Sequence, residues 1–401
     1  MTPVLVLGSV AGTTLEVIRI LALRGIPQFV IGTGVSFVAR SRWHRPLPGQ
    51  PQEEPSPLSL PRLLARLPFE RMILIPCSDD WVLATARLDP GLAARFPTSL
   101  APRESLEILL DKGRFAEAAQ RLSVPHPRTI CLASEDDLAT FPDSVFPDAF
   151  LKPRDTQAFS RRYGVKAFRF ETRSQAVSLV REARLAGLRL VLQEYIPGPP
   201  TRYYCVEGFM DRTATVCAWF VTRRQRMFPP DFGDTSLGVS IRPEEVAPAI
   251  DVARRFLGAL RYRGVFEVAF KYDERDGLFK ILEINARPYA CIGFAARCGV
   301  DLVTMAYQDA LNQPVEPVAG YEVGRRYVDP YPDMFAGWRL IREGKLTPWS
   351  WACSWLGTYQ PVFSWSDPLP AVAEFSTRIR RFVQRRMWAR SSRGAKTRRG
   401  A

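Results

Sequence analysis

Two glutamates and their neighbours carry the residue types that could do chemistry in this chain. The stretch from Val265 to Pro288 reads VFEVAFKYDERDGLFKILEINARP. Apolar and polar residues alternate on both sides of a turn holding Asp273, Asp276 and Gly277, which predicts two antiparallel strands joined by a short loop. Pairing Tyr272 with Leu278 across that loop sets Glu267 directly opposite Glu283, with Cβ atoms about 4.5–5.5 Å apart. It turns Phe266, Val268, Phe270, Leu282 and Ile284 toward the core. Opposed like charges destabilise a sheet, and a cation between them removes the repulsion. Two carboxylates and the amide of Asn285 on one face suit a hard, oxygen-seeking ion, Mg2+ or Mn2+. Arg287, on the same face, could hold a phosphate oxygen that the metal also touches. The other reading of this stretch alone is a solvent-facing edge hairpin in which Glu267 and Glu283 pair with Lys271 and Lys280.

Composition narrows the setting in which such a site works. A chain of 401 residues can bury a sizeable core and holds two or three domains. The net charge is +14, but ten Lys and Arg fall between Arg378 and Ala401, which contain no acid, so the remainder carries only about +4. Seven cysteines without a CxxC pair argue against a zinc site or a disulfide framework and for a reducing cytoplasm. His44 and His126 are the only histidines, which makes a His-based triad or His-rich metal site improbable. No uninterrupted apolar span reaches membrane-crossing length, so a soluble protein is expected.

The elements that must position the glutamates follow in chain order. Val4 to Leu7, a turn containing Gly8 and Gly12, and a helical pattern from Thr14 to Leu23 closed by Gly25 begin an alternation of strands and helices. Further strands at Gln28–Ile31 and Met72–Pro76, the last ending in Ser78, Asp79 and Asp80, imply a parallel sheet with a site at the strand C-termini. The turn GSVAGTT lacks the spacing of the common phosphate loops, and residues 46–61 are dense in proline, as in a stiff surface loop. From Ser105 a helical period runs through DKGRF and places Lys112 on a helix. Lys152 ends a strand between apolar Leu151 and Pro153, an awkward place for a charge without a partner. An arginine-rich loop after it could close over a polyphosphate. The strand VLQEY stops abruptly at Ile196 and Pro197, leaving backbone groups that can read a purine edge. Arg224 and Arg226 are available for anion contacts.

The succession of Lys112, Lys152, a closing loop, QEYIPG, FEV and LEINARP resembles the ATP-grasp superfamily, in particular its carboxylate-amine ligases of the D-aspartate ligase-like kind. The resemblance covers roughly residues 1–330. It implies an α/β (α+β) chain: a parallel-sheet pre-ATP-grasp domain at 1–100, ATP-grasp lobes at 101–190 and 191–330, and a Trp-rich, basic extension at 331–401. It further implies that Lys112 and Lys152 contact the phosphates of ATP, and that Gln193, Glu194, Tyr195 and Ile196 form the hinge against adenine. Glu267, Glu283 and Asn285 would hold Mg2+, with Arg287 beside the transferred phosphate and Arg226 helping to hold the γ-phosphate or acyl phosphate. The implied reaction phosphorylates a small carboxylic acid or amino acid and lets an amine displace the phosphate. Members often carry a Gly- and Ser-rich loop after the second lysine; Arg154–Gly164 here has a single glycine. Two other functions are weighed against ligation: a non-catalytic ATP-binding regulatory module, and an ATP-grasp kinase of a small molecule.

Beyond Asp329 the resemblance fades. Residues 348–365 hold Trp349, Trp351, Trp355 and Trp365 and no charge, and are followed by a helical pattern from Ala371 to Trp388 and the basic end. Interleaved aromatics and arginines can lie on an anionic membrane surface, or the tryptophans can simply cap the core. Nucleic-acid binding is the weakest reading of the tail.

Overall fold

The computed structural model describes residues 1–32, 36–49, 55–154, 159, 162–230 and 233–380. The middle of the proline-dense stretch, most of the arginine-rich loop after Arg154, the end of the expected 371–388 helix and the basic terminus lie outside these.

Three sheets organise the chain. The first is parallel, with β1 (Val4–Leu7), β2 (Gln28–Ile31) and β3 (Ile73–Pro76) in the order β2-β1-β3. β1 and β3 are buried along their whole length, as continuous apolar runs must be when helices cover both faces of a parallel sheet. The second sheet takes β4 (Thr129–Cys131), β5 (Ala149–Pro153), β6 (Phe168–Arg169) and β7 (Leu190–Glu194) in the antiparallel order β4-β7-β5-β6. Its own small core includes Leu151, Phe159, Val180 and Leu192. β7 spans the lobe boundary expected at 190/191.

The third sheet is antiparallel and positions the site. Its strands are β8 (Tyr203–Met210), β9 (Val216–Phe228), β10 (Asp234–Ser240), β11 (Gly264–Asp273), β12 (Leu278–Asn285) and β13 (Arg326–Val328), in the order β12-β11-β8-β9-β10-β13. One face carries Val206, Val221, Phe266, Val268, Phe270 and Ile284. These pack with Leu106, Phe115 and Phe256 of the helices Arg103–Leu110, Lys112–Arg121 and Ala247–Ala259. Strand periodicity then sends Glu207, Thr222, Arg224, Glu267, Glu283 and Asn285 to the opposite face. A separate core joins the parallel sheet to this large one through Val4, Leu15, Phe209, Phe220 and Phe294.

The extension beyond Asp329 is fastened at two buried aspartates. Asp333, on the helix Pro330–Arg342, accepts hydrogen bonds from the indoles of Trp351 (3.0 Å) and Trp355 (2.7 Å). Asp367 accepts from Arg19 Nε (3.0 Å) and the Ser41 hydroxyl (2.6 Å) of the N-terminal domain. Two of the four tryptophans therefore cap the protein, whereas Trp349 and Trp365 are exposed.

Candidate active site

The β11–β12 hairpin keeps the two glutamates on one face by a route that alternation alone did not show. Asp273, rather than Tyr272, pairs with Leu278. The buried Asp273 carboxylate gathers Arg275 Nε (2.8 Å) and Lys280 Nζ (2.6 Å), and Gly277, at φ +72, donates its N–H to the Asp273 carbonyl. This shifts the register by one residue, which by itself would throw Glu283 to the far face. A bulge then leaves Leu282 without a partner between Ile281 and Glu283 and restores the parity. Glu267 thus faces Asn285, and Glu283 faces Ala269. The expected direct Glu267–Glu283 opposition is replaced by a diagonal one, and Ile281, not Leu282, fills the core position.

Each glutamate has acquired a different partner. Lys112 and Lys152 reach Glu283 Oε2 at 3.0 and 3.2 Å, one from the start of a helix and the other from β5 of the smaller sheet. The two ammonium groups hold the Glu283 carboxyl well below the usual carboxylate range, although 40% of its side-chain surface is accessible. Burial draws the Lys152 pKa down, with Glu283 opposing. The helix expected to run on through DKGRF is broken at Asp111, which caps the next helix by accepting from Gly113 N (2.9 Å) and Arg114 N (3.1 Å). Arg154 clamps the same carboxylate at 2.7 Å, so Lys112 leaves a fixed helix start. Asn285 donates to Glu267 Oε2 at 2.5 Å; burial raises the Glu267 pKa, while this bond and the Arg224 charge oppose the rise. Lys271 and Lys280 lie elsewhere: Lys271 is buried beside Tyr203, and Lys280 belongs to the turn.

Arg287 donates to Asp79 at 2.6 Å and to Asn285 Oδ1 at 3.2 Å. Asp79 begins the helix after β3, so the C-terminal edge of the parallel sheet is brought to Asn285. Arg226 is placed differently from expectation. Its guanidinium donates to both oxygens of Asp333 at 2.8 and 2.7 Å and to Ser354 at 2.7 Å, and is consumed as the anchor of the C-terminal helices. Arg224, two residues earlier on the same strand, acts with Arg287 as a positive charge on Glu267. It lies over the Tyr203 ring at 4.7 Å, and its buried Nε has no hydrogen-bond partner.

The Gln193–Ile196 segment forms the end of β7 and its exit. The N–H of Glu194 goes to Arg128 O and that of Tyr195 to Asp148 O, so those two donors are already used. Gln193 donates through its amide to Thr129 (2.8 Å), Glu194 accepts from Arg275 (2.5 Å), and Ile196 is buried.

Glu207 was not singled out from the sequence. It sits on β8 directly beside Glu267, 2% exposed, and accepts from Tyr289 OH (2.5 Å) and the Thr222 hydroxyl (3.1 Å). Burial and then the Glu267 charge push its carboxyl well above the usual range. Ligand atoms of Cys205, Glu207 and Glu267 lie within 4.8 Å of one another. The available signal was one carboxylate in the otherwise apolar strand YYCVEGFM, a burial that needs a partner. The carboxylates of Glu207 and Glu267 in that cluster, with the Asn285 amide bonded to Glu267 and Glu283 on the same sheet face, offer the oxygen donors a Mg2+ ion takes, so the residues present fit that ion.

This arrangement of a parallel-sheet domain, a small antiparallel lobe and a large antiparallel sheet is the ATP-grasp fold. The solved structures it matches include the L-amino acid ligase from Bacillus licheniformis, with a TM-score of 0.57 and 15% identity over 79% of this chain and 75% of that one. They also include the biotin carboxylase domain of the Hydrogenobacter thermophilus 2-oxoglutarate carboxylase in complex with MgADP, with a TM-score of 0.61 and 16% identity over 81% and 73%. A family model described as ATP-grasp in the biosynthetic pathway with Ter operon matches residues 189–327. The D-aspartate ligase of Enterococcus faecium (strain Aus0004) is 24% identical over 262 residues, 61% of this chain and 60% of that protein's length. The chain has the ATP-grasp fold, and the proteins it is similar to include a D-aspartate ligase and an L-amino acid ligase.

Proposed function

We propose that the protein is an ATP- and Mg2+-dependent ligase that activates a small carboxylic acid or amino acid as an acyl phosphate and couples it to an amine, forming a C–N bond. The observation that carries this is Glu283 held between Lys112 and Lys152 from two different elements, on the sheet face that also presents Glu267 and Asn285. Two cations gathered on one accessible carboxylate are a ready receptor for phosphate oxygens. Glu267, Glu283 and Asn285 would hold Mg2+ or Mn2+, which neutralises phosphate charge when bound. Lys112 and Lys152 then exchange Glu283 for phosphate oxygens, and Arg287 and Arg224 face the transferring group. The hinge at Gln193–Ile196 borders adenine. Charge stabilisation and positioning carry a phosphoryl transfer of this kind, so no protein nucleophile is required.

The same reading puts the catalytic unit in residues 1–330 and the protein in the cytoplasm. No helix among the described residues is long and apolar enough to cross a membrane. The experiment is ADP and phosphate release from Mg-ATP across pooled amino acids and other carboxylic acids, with hydroxylamine as the trap. Acid-dependent ADP release with hydroxamate formation is expected. ATP turnover that needs a hydroxyl substrate and yields no hydroxamate would refute carboxylate activation.

A further inference from the structure

The helix Pro330–Arg342 is amphipathic in an unusual sense, because its apolar stripe faces outward. Tyr331, Met334, Phe335 and Trp338 recur at i, i+3, i+4 and i+7, the spacing of one helical face, and all four are exposed, Trp338 by 59%. The opposite face, with Asp333, Ala336 and Gly337, is the one buried against the protein. A second helix over 369–380 repeats the pattern: Val372, Phe375 and Ile379 are exposed along one side. The two helices touch where the Arg378 guanidinium lies 4.0 Å over the Tyr331 ring. Arg342 covers the Trp338 ring at 4.7 Å, and Trp349 on the neighbouring helix Pro348–Ser354 is also exposed.

We propose that these two helices form a docking face for the surface of an anionic lipid bilayer, their apolar side chains entering the headgroup boundary. Charge complementarity selects this occupant. Arg342 and Arg380 flank the stripes, beside Arg339 and Arg378, which are paired with Glu343 and Glu374, and residues 381–401 add eight Lys and Arg without one acid. Such a tail repels the same tail on a second copy and is drawn to anionic headgroups. Aromatic and aliphatic side chains bordered by arginines are the composition of a helix that lies in the interface plane. The face stands apart from the ligase site and does not depend on which reaction that site performs.

The test is co-sedimentation of the full chain with phosphatidylcholine vesicles and with mixed phosphatidylcholine–phosphatidylglycerol vesicles. A triple variant, Met334→Ser, Trp338→Ser and Phe375→Ser, is compared with the parent chain; its tail is intact. All three positions are exposed, so the fold is retained and the thermal midpoint is expected to match the parent. The parent is expected to bind the mixed vesicles only, and the triple variant to bind them at least ~10-fold more weakly, since three apolar insertions are lost. Equal binding by parent and variant would overturn the docking face, because the tail alone would then suffice. No binding by the parent would overturn it as well. So would a parent dimer in light scattering that the substitutions convert to monomer, which would make the face a self-association surface. Assaying ADP formation on the same two proteins without vesicles separates failure of this inference from failure of the ligase reading.

Discussion

Replacing Asp333 by Asn tests whether Arg226 serves the substrate or the fold. The Asp333 side chain is fully buried and that of Arg226 is 8% exposed. The carboxylate takes both Arg226 bonds, the Ser236 hydroxyl at 2.8 Å and the two indole N–H groups. Burial would raise its pKa, but these partners hold it below the ordinary value. Asp333→Asn strands the guanidinium without its counter-charge, and removing one partner of a buried ion pair costs about 3–5 kcal/mol. Arg226→Met leaves the opposite charge stranded and should cost a similar amount. The double variant should lose clearly less than the sum of the two, because the second substitution removes the charge stranded by the first. Urea midpoints of the four proteins give the cycle, and ADP formation is measured where each remains folded. Arg224→Met is the contrast: its charge acts on Glu267, so on the ligase reading turnover should fall by at least ~100-fold, the order seen when one charge-stabilising group is removed. Lost turnover in Arg226→Met with an unchanged midpoint, together with a neutral Asp333→Asn, would refute the anchoring role and return Arg226 to the phosphate.

Two further outcomes follow from particular side chains. Glu283→Gln should abolish metal-dependent turnover while changing stability by no more than about 1 kcal/mol, since its ion pairs are partly accessible; unchanged turnover would remove Glu283 from the site. Glu16 is buried, accepts from Tyr359 of the C-terminal extension, and has its pKa raised by burial from 4.5 to about 7. The folded state therefore holds more protons than the unfolded state between those values, and stability falls as pH rises through that window. The loss is about 3 kcal/mol at about 1.4 kcal/mol per unit. Urea midpoints of parent and Glu16→Gln from pH 5 to 8 check this, with the variant expected to lack the fall; parallel curves would exclude Glu16 as its source.

Much of the large sheet was legible because alternation is local: Phe266, Val268 and Phe270 name the core side, and Glu267 the other. The awkward charge at Lys152 was legible for the same reason, as a polar group between apolar neighbours. The pairing was less so. Sequence periodicity does not see the Asp273 turn and the Leu282 bulge, which shift the register twice and leave the glutamates diagonal. Lys112 was legible as a residue but not as the start of a helix, since the helical period runs on across Asp111 and does not show that its side chain turns back to cap Gly113 N and Arg114 N.

By itself the sequence determined the element types, the polar face carrying Glu267, Glu283 and Asn285, and the composition of the basic terminus, because each is written in neighbouring residues. Only the tertiary structure decided that Glu283 draws both lysines, that Glu207 stands beside Glu267, that Arg287 meets Asp79, and that Arg226 is claimed by Asp333 while Arg224 is left facing the site. Those choices depend on long-range partners, and a charged side chain takes its role from whichever opposite charge the folded chain brings within hydrogen-bond reach.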